Sequence, residues 1–132
     1  MSCSECKHLY QIEATDCLPA TLRSQTDLVH LADTLYDIAR LSVSKDLTTD
    51  DYGCCVKIRY GEALSIHANV RERSVNVKVV SGCAADHMQV LQAVHGQFKP
   101  KKLSVQGGLK CKAWQHFGEQ ISMVLDTDWS SR

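Results

Sequence analysis

The apolar positions of this chain change period twice, and the changes mark its elements. Between Leu28 and Ala39 they recur at helical spacing: Leu28, Leu31, Ala32, Leu35, Ile38 and Ala39 form one stripe, with Asp33, Asp37 and Arg40 off it. Just ahead, Ser24-Gln-Thr-Asp27 resembles a capping box with Asp in place of the usual Glu, so a helix is expected over 26–43. The polar run from Ser44 to Gly53 ends it as a loop. The period then falls to two. Val56, Ile58 and Tyr60 alternate with Lys57 and Arg59; Leu64, Ile66, Ala68 and Val70 alternate with Ser65, His67 and Asn69; Val75, Val77 and Val79 alternate with Asn76 and Lys78. Three such runs joined by short turns predict a half-buried antiparallel meander. Helical spacing returns after Gly82, with Met88, Leu91 and Val94 in the core of a helix over 84–97 that Pro100 stops. Residues 102–106 and 109–114 flank Gly107-Gly108 and read as a hairpin, and Phe117, Ile121, Val124 and Leu125 mark a last helix.

The expected fold is α+β: a two-layer sandwich, an antiparallel sheet with helices on one face, in the order α-β-β-β-α-β-β-α. Residues 24–132 make a single α+β domain on this reading. Residues 1–23 hold no sustained period and are set apart as an N-terminal, cysteine-containing arm. A chain of 132 residues has room for one core. If the apolar set of the meander faces the helices, then Lys57, Arg59, Ser65, His67, Asn69, Asn76 and Lys78 face away from them.

Charge sharpens that picture. Fifteen Lys and Arg balance fifteen Asp and Glu, so the total names no partner. The distribution is uneven: residues 1–55 carry four basic and nine acidic side chains, whereas residues 56–114 carry ten basic and three acidic. A basic sheet face follows, and with it a candidate anion- or nucleic-acid-binding set of Lys57, Arg59, His67, Lys78, Lys110 and Lys112. The plain alternative is that these cations only keep an exposed sheet soluble. Tyr60 lies on the apolar register, so base stacking on this face is unsupported.

Seven cysteines without an apolar leader suggest reduced thiols in a cytoplasmic protein, and no run approaches the roughly 18 apolar residues of a membrane span. Cys3-x-x-Cys6 with His8 and Cys17 offers four candidate zinc ligands, although the spacing after Cys6 fits no common finger. Zinc is thus the one metal to test, and otherwise no cofactor is expected. Cys54 and Cys55 adjoin at a strand start, which would send one thiol to the core and leave the other free. Cys83 and His87 could pair on one helical face, but no third orienting group can be named. Gly107-Gly108 lacks the residues of a phosphate loop. The chain is not expected to be an enzyme.

From Leu28 to Gly82 an amphipathic helix leads into Asp50-Asp-Tyr-Gly-Cys-Cys-Val-Lys-Ile-Arg-Tyr60, then two alternating strands and a Ser-Gly exit. This pattern resembles the class I chaperones of bacterial type III secretion. The resemblance implies a homodimer without enzymatic activity whose apolar grooves hold an extended client segment. The leading expectation is accordingly a small non-enzymatic adaptor that contacts another protein, as a homodimer and in chaperone-like fashion. Surplus apolar side chains at Tyr36, Val43, Phe98, Trp114 and Trp129 support it. Nucleic-acid or anion binding through the basic sheet face is the alternative.

Overall fold

The computed structural model describes residues 8–41, 43–81, 84–107 and 128–130, with side chains over 11–41, 43–80 and 89–105. Its elements are β1 (His8–Thr15), α1 (Pro19–Arg23), α2 (Gln25–Ala39), β2 (Leu47–Asp51), β3 (Cys55–Tyr60), β4 (Leu64–Asn69), β5 (Ser74–Ser81), α3 (Ala84–Phe98), β6 (Lys102–Gly107) and β7 (Asp128–Ser130). The strands form one sheet in the order β2-β3-β4-β5-β1-β6-β7. Every neighbouring pair is antiparallel except β6 and β7, which run parallel. Helices α2 and α3 pack on one face and on each other, so the α+β sandwich is as expected.

The meander and both long helices fall where the periodicity placed them. Ser24 caps α2, its Oγ accepting the Asp27 N–H at 3.3 Å. Leu28, Leu31, Ala32, Leu35 and Ala39 bury the predicted stripe against Val56, Ile58, Ile66, Ala68, Val75 and Val77. Phe98, expected as surplus apolar surface, is instead fully buried at the end of α3, while Tyr36 packs half-buried at the core's margin.

The arm is the main correction. His8–Thr15 is a strand in the interior of the sheet, paired with β5 on one side and β6 on the other. Ile12 and Ala14 are fully buried and Cys17 and Leu22 complete the same core. The segment is part of the domain. A second correction concerns Ser44–Gly53, where Leu47–Asp51 is the edge strand β2. A third concerns residues 102–106, whose described partners are β1 and β7; residues 109–114 and the expected last helix lie outside the described residues.

Helix α2 stops at Ala39, short of residue 43, because Arg40 takes the left-handed conformation at φ +52°. The chain then folds back on the helix. The Tyr36 hydroxyl donates to the Val43 carbonyl, and Lys45 sits 4.9 Å over the Tyr36 ring and 3.0 Å from Asp37. Tyr36 meets Tyr60 edge-on at 5.2 Å, and the Tyr60 hydroxyl donates to Asp33 Oδ1. These contacts bind the loop after α2 to the far end of β3.

Burial first, and then the hydrogen bond to and charge of Asp33, push the Tyr60 phenol from its ordinary 10.0 up to about 12. The fold therefore favours the neutral phenol. That stabilisation is complete below pH 10 and is lost as the pH rises to 12. Alkaline unfolding should show it as a fall in stability across that window, and the Tyr60→Phe variant should lose the fall above pH 10.

Candidate functional site

The face of the sheet opposite the helices is built by the polar half of each alternating strand. Cross-strand register sets these residues in rows. One row runs Asp50, Lys57, His67, Asn76, Glu13 from β2 through β3, β4 and β5 to β1. The next runs Thr48, Arg59, Ser65, Lys78, Gln11. In β1, β3, β4 and β5 each alternates along its strand with a buried neighbour, so there the apolar residues that hold the sheet to the helices also fix the direction of the polar ones.

Where these rows meet β3, β4 and β5, a depression of about 140 Å3 opens, lined by Lys57, Ser65, His67, Asn76 and Lys78. Two ammonium groups, an imidazole, a hydroxyl and an amide converge there. None of the five side chains has a hydrogen bond or ion pair to another described residue. An anion in the depression would meet donors on every side, because Lys offers only donors and Ser, Asn and His can each present one.

Three of the six residues of the expected basic set, Lys57, His67 and Lys78, thus line one concavity. Arg59 is exposed on the adjoining row, outside the lining; Lys110 and Lys112 lie outside the described residues. Ser65 and Asn76 were legible as outward-facing but not as part of a site. Only the cross-strand register, with Ser65 opposite Lys78 and His67 opposite Asn76, brings them in.

Of the zinc set, Cys17 is the member whose side chain lies within the described residues. Cys17 is a core side chain, and its thiol donates to the Ala14 carbonyl at 3.6 Å. Burial, followed by the Asp16 carboxylate, pushes that thiol up to about 11, which opposes the thiolate a metal needs. The structural reason is Asp16 at φ +58°: it turns the chain inward after β1 and pairs with Arg73 at 2.8 Å, while the Cys17 N–H donates to the Arg73 carbonyl. His8 opens β1; Cys3, Cys6 and Cys83 lie outside the described residues. No group of three or more His, Cys, Asp or Glu suited to a metal occurs among the described residues. Cys54 and Cys55 also differ from expectation, since Cys54 is exposed and Cys55 half-buried at the head of β3, and neither enters the core.

Among the described residues no helix is long and apolar enough to cross a membrane. No family model matches the chain, and no curated protein matches it. Among solved structures it is similar to the adenosylmethionine decarboxylase from Aquifex aeolicus VF5, with a TM-score of 0.63 over 77% of this chain and 88% of that one. At 13% sequence identity that likeness is one of fold.

Proposed function

We propose that this is a small binding protein whose ligand carries a compact anionic group, seated on the open face of the sheet between Lys57 and Lys78. The observation that carries the reading is the convergence of Lys57, Ser65, His67, Asn76 and Lys78 around one depression, without partners for their side chains among the described residues. The flanks set the size of the anion. Asp50 and Glu13 bracket the row of Lys57 and His67, with neighbouring strands about 4.8 Å apart. A phosphate or carboxylate fits between the brackets, whereas a nucleic-acid backbone laid across the row would meet both carboxylates.

Holding a client segment calls for contiguous exposed apolar surface. The exposed large apolar side chains among the described residues are Leu18, Leu47 and Tyr52, and the last two flank opposite ends of β2. The anionic ligand is therefore placed ahead of a protein client. The name of the structural neighbour suggests a first small molecule to try, since adenosylmethionine bears a carboxylate.

Amide chemical shifts should be followed during titration with inorganic phosphate, S-adenosylmethionine and a single-stranded oligonucleotide. Saturable shifts at Ser65, His67 and Asn76 are expected with a small anion. In Lys57→Met and Lys78→Met the affinity should fall on the order of tenfold each, the worth of one hydrogen bond to a charged group. Shifts that are absent, or unchanged in the double variant, would sink the reading. Preferential, steeply salt-dependent binding of the oligonucleotide would replace it with the nucleic-acid one. Carbon dioxide released from adenosylmethionine would replace it with a catalytic one.

A further inference from the structure

The hairpin joining β2 to β3 presents two adjacent thiols at its turn. Gly53 and Cys54 form its two-residue loop, closed by the Tyr52 N–H donating to the Cys55 carbonyl at 2.9 Å. Gly53 takes φ +78°, which favours glycine, and its N–H donates to Asp51 Oδ1 at 2.8 Å. The Val70 N–H holds the Cys54 carbonyl at 3.0 Å. On this braced backbone the two Sγ atoms lie 4.0 Å apart, with Cys54 exposed and Cys55 half-buried. A hollow of about 330 Å3 near the hairpin is lined by Arg23, Asp51, Gly53, Val56 and Val70, and by neither cysteine. Gly53 and Val56 are the chain neighbours of the pair.

We propose that Cys54 and Cys55 form a dithiol site for trivalent arsenic, which bonds both sulfurs. The turn supplies what such a centre needs: two sulfurs presented together, with little left to order on binding. An internal disulfide would use the same pair, but closing it would twist the Cys54–Cys55 peptide, whose flanking carbonyls are both held by hydrogen bonds. An arsenic atom between the sulfurs spans the gap and leaves the turn in place. The chemistry balances without an oxidant. A hydrated organoarsenical, R–As(OH)2, breaks two As–O bonds and forms two As–S bonds, and the two thiol protons leave with the hydroxides as two waters. The inference is independent of the anion site and stands or falls on different residues.

Phenylarsine oxide is the probe, and the full chain carrying Cys3→Ser and Cys6→Ser is the background, because Cys3-x-x-Cys6 is a rival dithiol. One equivalent is expected to bind with the loss of two free thiols, read by intact mass and thiol titration. A small dithiol should displace it and a monothiol should not. Adding Cys55→Ser, or separately Cys54→Ser, should weaken binding on the order of a hundredfold or more, because the second bond then loses its effective concentration. Circular dichroism of each variant confirms that the fold persists. Unchanged stoichiometry and affinity in both serine variants, or no uptake in the Cys3→Ser/Cys6→Ser background, would overturn the proposal.

Discussion

Deletion of residues 1–15 is expected to abolish folding. β1 is held on both edges, by register with Val75–Ser81 on one side and Lys102–Gly107 on the other. Its removal would split the sheet between β5 and β6, leaving two new edges whose N–H and C=O groups have no partner. The same deletion takes Ile12 and Ala14, both fully buried, out of the core. A domain holds only about 5–15 kcal/mol of net stability, and the loss of two strand pairings with their packed side chains exceeds it. The shortened chain should give a disordered far-ultraviolet circular dichroism spectrum and collapsed amide proton dispersion. A native-like spectrum would return these residues to the status of an arm.

Phe98→Ala is expected to cost about 3–5 kcal/mol, as truncation of a buried aromatic does when the cavity cannot collapse. Phe98 is among the largest of the fully buried side chains. It ends α3, the helix that packs on α2 and also touches β1 and β5, so its ring lies where helical layer and central strands meet. The cavity would therefore open within the buried cluster that also holds Leu28, Leu35, Ile66 and Leu91. Chemical denaturation should show a lower midpoint at unchanged slope. A loss under 1 kcal/mol would mean that α3 settles inward to fill the space. Phe98→Leu, which keeps most of the volume, should recover more than half of the loss.

The central meander was legible because a polar residue separates every pair of buried ones from Val56 to Val79, and helix α2 because its stripe and cap agree. β1 carries the same signal, with buried Ile12 and Ala14 alternating with Gln11, Glu13 and Thr15. It was hidden because the run is short, ends in a small alanine and sits among cysteines that suggested other chemistry. β2 gave no such signal: Leu-Thr-Thr-Asp-Asp is polar on both faces, and only pairing with β3 makes it a strand. The basic set was readable as residue types on one face. Its concavity was not, because that depends on which residues stand opposite one another across β3, β4 and β5. Nor was the link from Tyr60 to Asp33, which joins groups far apart in the chain across an apolar register.

The place of β1 also bears on how the chain acquires its structure during synthesis. A ribosome releases His8–Thr15 before the other described elements, yet of the strands that flank it β5 ends the meander and β6 follows α3. The β3–β4–β5 segment can pair locally as soon as it emerges, and it leaves the inner edge of β5 open. The oldest segment is then inserted into a slot that the youngest strands complete. Until then its apolar side chains stay in water beside an unpaired edge, and it is in this interval that a nascent chain of this design most needs protection from its neighbours.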